Sequence, residues 1–324
     1  MPMPQAVHID QALTFFSVAY MAKCKMLSGV LFPFVPVKKQ SDTYFVYDQG
    51  DFNRNDAGIR APGTEPNYGD YDITSATPYF CKEWEKAKIV TDEEAANSDA
   101  PLMPLQDATE FVSRKIMLAR EADFATKFFT TGVWTGGADK AGGTDFTAWS
   151  SPVSTPAANV ASWSDTVNDA TNGHRPNVLA IGANVFTTLK NHPDVIDRIK
   201  YTQKGVNGDI TPELLAGYFG VERVLVGDMP ITTSAKGATL ANSQPYAGKA
   251  LLCYVPPGAV GLRTVAAGKT FAWDAGRGLG ADARGMAVLR WYNQERRGTV
   301  VQGSGFWDHK VTASNAGLYA SGVV

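Results

Sequence analysis

R-P-N-V-L-A-I-G-A-N-V-F-T-T-L-K-N-H-P-D-V-I-D-R-I-K-Y-T occupies Arg175–Thr202, and its apolar pattern changes twice along the way. Pro176–Gly182 is a nearly continuous apolar run closed by glycine, the pattern of a buried strand. Val185, Phe186 and Leu189 then mark a helix. His192-Pro193 breaks it, and a second short helix follows around Asp194–Ile199. His192 lies at that turn and reads as a capping or packing residue. The next segment, I-T-P-E-L-L-A-G-Y-F-G-V-E-R-V-L-V-G (Ile210–Gly227), repeats the logic. Thr211 is placed to cap a helix whose first position is Pro212. Leu214, Leu215 and Tyr218 lie on it, and Val221–Gly227 returns as a strand. Strand and helix alternating in this way indicate an α/β segment.

Downstream the chain is strand-like: Lys249–Val255, Lys269–Trp273, Gly285–Tyr292, Gly298–Gln302 and Leu318–Val324. Upstream, Trp134–Gly173 is a Gly/Thr/Ser/Ala/Asp mixture that reads as loops and short strands. Before it, Asp107–Thr131 carries Ala108, Phe111, Val112, Ile116, Ala119, Ala122, Ala125, Phe128 and Phe129 at three- and four-residue intervals. That predicts one long helix of roughly 35 Å, with Asp107-Ala-Thr-Glu110 as a capping box and Gly132 as the C-cap. Thr43–Tyr47 and Ile73–Trp84 are β-favouring stretches on either side of a polar, Gly/Pro/Asn/Asp-rich segment. Together they predict a long hairpin whose far end has no residues suited to a core. Val30–Val37, V-L-F-P-F-V-P-V, is apolar yet holds two prolines, so it reads as an extended segment that its own domain or another chain must cover. Asp10 is placed to cap a short helix bearing Leu13, Phe16, Tyr20 and Met21.

The 324 residues suffice for two modest domains or one elaborated one. Lys+Arg and Asp+Glu number 30 and 32, so no bulk basic character favours a sequence-independent grip on nucleic acid. Cys24, Cys81 and Cys253 are too few and too scattered for a disulfide framework or a metal site. The first residues lack a signal-peptide pattern. Lys23 and Lys25 divide the apolar stretch over 11–37, leaving neither part long enough to span a membrane. Gly268-Lys-Thr270 lacks the preceding glycine of a phosphate loop, and Gly276–Gly280 lacks the amphipathic helix that should follow a dinucleotide turn. His8, His174, His192 and His309 have no ligand-spaced partners, and no G-x-S-x-G elbow is present. No catalytic, cofactor or metal constellation emerges.

The strand, helix, N-H-P-D turn, helix, T-P-E-L-L-A helix and closing strand over Arg175–Gly227 closely resemble major capsid proteins of tailed bacteriophages. The resemblance implies the Hong Kong 97-like α+β fold. Residues 1–40 would form an N-terminal arm and 41–90 an extended loop hairpin. Residues 91–174 would form a peripheral domain with its spine helix, 175–284 an axial domain, and 285–324 the closing strands of the peripheral sheet. The implied function is self-assembly, without enzymatic chemistry or cofactors. Pentamers and hexamers would build the icosahedral head shell around double-stranded DNA, contacted non-specifically. Val30, Leu31, Phe32, Phe34 and Val35 in the arm, with Phe52, Arg54, Ile59, Arg60 and Tyr68 in the loop, are the expected contacts between copies. Implied partners are a portal protein, a separate scaffolding protein (the arm starts at once) and a decoration protein. Assembly in the host cytoplasm would place the product in the virion, with no membrane involved.

Two features depart from the family pattern. Trp163–Gly173 leaves room for only a short helix ahead of Arg175, and the absence of lysine from Gln49–Tyr71 argues against a Lys–Asn cross-link through this loop. Two other readings compete: an encapsulin-like compartment shell, and a hydrolase with dispersed catalytic residues.

Overall fold

The computed structural model describes residues 8–9, 26–47, 54–75, 78–98, 102–202, 210–258, 260–262, 264–274 and 286–324. The short helix expected after Asp10 and the Gly276–Gly280 turn lie outside these residues. In chain order the elements begin with β1 (His8–Ile9), α1 (Ser28–Leu31), β2 (Phe34–Val37), β3 (Ser41–Asp42) and β4 (Phe45–Tyr47). Then come β5 (Ile73–Ser75), β6 (Tyr79–Phe80), β7 (Lys82–Thr91), α2 (Asp92–Ala96), α3 (Pro104–Phe128) and β8 (Lys140–Ala141). The middle holds α4 (Pro156–Ala170), β9 (Val178–Gly182), α5 (Ala183–Lys190), α6 (Pro193–Thr202), α7 (Pro212–Phe219) and β10 (Arg223–Gly227). The rest is β11 (Ile231–Thr232), β12 (Asn242–Ser243), β13 (Ala250–Cys253), β14 (Gly268–Trp273), β15 (Met286–Asn293), β16 (Gly298–Val311) and β17 (Gly317–Ser321).

Two sheets carry the body. The first has the order β1-β15-β16-β14-β2, with β7 on the other flank of β16. The second runs β10-β9-β13-β17-β8. Every residue of β9 is buried, which explains its uninterrupted apolar run. Leu179 and Ile181 face a cluster built from α4, α5, α6 and α7, while Val178 and Ala180 face the opposite cluster.

Helix α3 spans both sheets. Val112, Ile116 and Met117 in its first half pack with Met286 and Trp307 of the first sheet. Phe124, Ala125 and Phe128 in its second half pack with Leu27, Phe32, Val178, Leu251 and Tyr319. The helix approaches so closely that a Cβ on Gly303 would stand 2.6 Å from Val112 Cγ1. At the crossing, the buried carboxylate of Glu121 accepts from Ser28 N–H at 3.1 Å and from Tyr246 Oη–H at 2.5 Å. His309 lies against Phe124, with ring centres 5.5 Å apart, and its Nδ1 is 2.8 Å from Thr270 Oγ1.

The local signals over Arg175–Gly227 hold. Thr211 Oγ1 accepts from Leu214 N–H at 3.4 Å, and Gly220 ends α7 at φ 68°. His192 Nδ1 accepts from Asp194 N–H at 3.2 Å, a capping role, and Nε2 lies 2.9 Å from Ser154 Oγ.

Elsewhere the structure corrects the sequence. Helix α3 starts three residues earlier than Asp107, with Pro104 in its first turn, and ends at Phe128. Its face is also rotated: Phe111 is exposed, whereas Glu121 and Phe124 are buried. The region expected to be loops contains α4, a 15-residue helix anchored by Val160, Trp163 and Val167. The corner before Arg175 therefore has a full helix. β16 continues through Gly303 and Gly305 to Val311 rather than stopping near Gln302. The 285–324 segment divides: β15 and β16 join the first sheet, but β17 joins the second beside β13. β14, expected among the axial residues, lies in the first sheet. Gly268–Thr270 is ladder, with Lys269 Nζ–H donating to Leu262 O at 2.9 Å.

Two outcomes follow from the buried polar groups. Glu121→Ala strands the Tyr246 hydroxyl and Ser28 amide and costs ~1–3 kcal/mol in urea unfolding. Burial first, with Arg120 and Lys127 nearby, holds His309 down to about 3 from an ordinary 6.5. The stability from neutral His309 is complete above pH 6.5 and is lost as pH falls toward about 3. The loss of unfolding free energy between neutral pH and mild acid should accordingly be smaller in His309→Gln.

Candidate assembly interface

The hairpin is rooted firmly in the first sheet. Tyr79 stacks on Phe271 with ring centres 4.5 Å apart, and Tyr44 Oη–H donates to Val311 O at 3.1 Å. Phe80 N–H donates to Asp308 Oδ2 at 3.0 Å, and Trp273 Nε1–H to Lys38 O at 3.1 Å. From there β3 pairs with β6, and β4 with β5, both antiparallel.

Beyond this root the chain leaves the body. Every residue from Arg54 to Asp72 is exposed. Ala61-Pro-Gly-Thr64 turns the tip, with Gly63 at φ 86° and Thr64 N–H donating to Ala61 O at 3.3 Å. Proline followed by a positive-φ glycine is the type II pattern. Asn67 Nδ2–H reaches across the two limbs to Asp56 O at 2.9 Å. Ile59 is 106% exposed and Tyr68 80%, and Arg54 and Arg60 are exposed beside them. The finger is acidic: Asp56, Glu65, Asp70 and Asp72 outnumber Arg54 and Arg60.

The other expected contacts divide differently. Leu31, Phe32 and Val35 are buried in this chain's own core, which leaves them no surface for a neighbour. Phe32 sits among Phe124, Phe128 and Trp134, and β2 pairs in parallel with β14. The prolines do not prevent this, because β2 is an edge strand among the described residues. Val30 and Phe34 are half-buried. Residues 30–37 are thus the end of one helical turn and an edge strand of this chain's own first sheet, not an arm free of the body. Phe52 lies outside the described residues.

The sequence reading missed exposed Leu102, Met103 and Phe111 at the start of α3, because helical spacing alone does not say which apolar stripe faces inward. Chemistry is sparse. Burial pushes the thiols of Cys81 and Cys253 up to about 12, far from a reactive thiolate. Among the described residues, no group of three or more His, Cys, Asp or Glu could hold a metal ion, and no helix is long and apolar enough to cross a membrane.

The two classes of residue separate in stability measurements. Phe32→Ala should cost ~3–5 kcal/mol. Ile59→Ala or Tyr68→Ala should stay within about 0.5 kcal/mol when the chain is unfolded as a monomer.

Comparison with known proteins gives the fold a context. No family model matches the chain. The major capsid protein of Pseudomonas phage JBD67 is 27% identical over 236 residues, covering 71% of each chain. A phage-related protein from Bordetella bronchiseptica RB50 superposes with a TM-score of 0.74 at 20% identity, over 98% of this chain and 99% of the other. The mature capsid of bacteriophage PhiM1 gives a TM-score of 0.54 at 10% identity, over 92% of this chain and 87% of the other. The chain has the α+β Hong Kong 97-like fold of phage capsids.

Proposed function

We propose that this chain is a major capsid protein of a tailed bacteriophage, whose copies associate to form the head shell. The observation that carries the reading is the similarity to phage major capsid proteins over most of the chain. It favours a phage head over an encapsulin-like compartment, and a structural role over catalysis. The exposed finger supplies the physical complement. A body with its own closed core holds out a ribbon that buries nothing in its own chain, as an element completed by association would.

In this reading the first sheet and α3 form the peripheral domain, and the second sheet with α4–α7 forms the axial domain. Copies meet through heterologous contacts in pentamers and hexamers that close into an icosahedral shell. The net charge of −2 suits a container that must take in and release double-stranded DNA without gripping it. A portal, a scaffolding protein and a decoration protein are the partners this role calls for. Assembly takes place in the bacterial cytoplasm, and the product resides in the virion.

Deletion of Gln49–Tyr71 tests the role of the finger. Soluble monomers or irregular aggregates should replace regular particles in negative-stain micrographs. Regular shells from the deleted chain would overturn the assignment of the finger to assembly.

A further inference from the structure

Glu121 is the one acidic side chain that the core encloses among the described residues. Its carboxylate accepts from the N–H groups of Leu27 and Ser28 at the start of α1 and from Tyr246 Oη–H. The charged or titratable groups that face it are Tyr246 and, on its own helix, Arg120; α1 contributes backbone N–H groups alone. Arg120 turns its guanidinium toward the rings of Phe34 and Trp307. Among the described residues, no cation hydrogen-bonds to the carboxylate.

Tyr246 carries the contact onward. It is buried in the turn before β13, where its ring meets that of Phe129 edge-on with centres 4.8 Å apart. It also fills the space left by Gly182 and Gly227, which end β9 and β10 side by side. A Cβ on Gly227 would stand 2.6 Å from Tyr246 Cδ2, and one on Gly182 would overlap Tyr246 O. The tyrosine thus ties the carboxylate of α3 to two strand ends of the second sheet.

We propose that Glu121 is a proton-operated latch between α3 and the second sheet, closed when the carboxyl holds its proton and released when it ionises. The device belongs to a single copy and stands apart from the shell reading. A buried carboxylate without a paired cation costs more than a neutral carboxyl in the same place. Opening the junction to water removes that cost for the ionised form alone, so protonation favours the closed arrangement. Burial accordingly moves Glu121 upward from an ordinary 4.5, against smaller opposing effects of Tyr246, Ser28 and Arg120. The stability gained from the proton is complete below pH 4.5 and is lost as pH rises through the raised value.

Hydrogen exchange followed by mass spectrometry on the intact chain tests this, with rates corrected for the intrinsic effect of pH. Peptides covering residues 26–31 and 244–253 should be better protected in mild acid than in mild alkali. Glu121→Gln, a neutral isostere, should abolish that difference and hold both peptides at the acid level of protection throughout. Tyr246→Phe removes a donor that stabilises the ionised carboxylate, so it should move the midpoint of the change to higher pH. Equal protection of the wild-type chain in acid and alkali would overturn the latch. So would a Glu121→Gln chain that keeps the wild-type difference. If Glu121→Gln does not fold, Tyr246→Phe decides alone, and a midpoint that stays in place or falls overturns the proposal.

Discussion

Glu121 stands where α3, the start of α1 and the turn before β13 meet, and its carboxylate is held by groups from both other parts: Ser28 N–H and Tyr246 Oη–H. Its neighbour Arg120 faces the other way, with its guanidinium 5.1 Å from the ring centre of Phe34 and 5.6 Å from that of Trp307 in the first sheet. Adjacent helical residues thus engage different parts of the body, Arg120 the first sheet and Glu121 the start of α1 and the turn that leads into β13. Apolar packing along α3 would tolerate sliding, since it has little directional preference, whereas hydrogen bonds to a buried carboxylate have a required geometry. Burial raises the pKa of Glu121, and burial together with Glu121 raises that of Tyr246. A buried polar cluster of this kind is costly, and its value is to fix one arrangement of the two sheets.

Local signals held in one stretch and misplaced the ends of α3, which starts at Pro104 and ends at Phe128, in another. Arg175–Gly227 was legible because a continuous apolar strand, a Thr-Pro helix start and a terminal glycine each state their conformation without reference to distant residues. Helix α4 was hidden because Val160, Trp163 and Val167 are its few large apolar anchors among Ala, Ser, Asn and Asp. β16 looked short because Gly303 reads as a breaker, yet the glycine is there to let Val112 and Ile116 approach. Its meaning depends on a helix almost two hundred positions away in the chain.

The expected contacts between copies show the same division. The finger was legible from polarity, since a segment rich in Gly, Pro, Asn and Asp cannot support a core under any topology. Val30–Val37 was not, because an apolar extended string reads identically whether it covers a neighbour or fills its own sheet. Only the register of β2 beside β14, with Phe32 enclosed by Phe124, Phe128 and Trp134, decides the matter. Burial is a property of the whole fold, so the residues that look most adhesive in a sequence are often the ones already used.

A chain that must associate with its own copies has to do so in one manner, and its sheet edges are the obvious place for error. The long flank strand β7 places Lys82, Glu83, Glu85, Lys86 and Lys88 along its length, so another strand laid beside it would have to match or desolvate a mixed row of charges. β2 ends the other side of that sheet with Pro36, which has no N–H to offer, followed at once by Lys38 and Lys39. Backbone pairing between sheets is thereby discouraged along β7 and β2. At those edges a correct neighbour can be told from a merely available one only by side-chain shape and charge, and the acidic finger, with Ile59, Tyr68 and Tyr71 exposed among its carboxylates, has both.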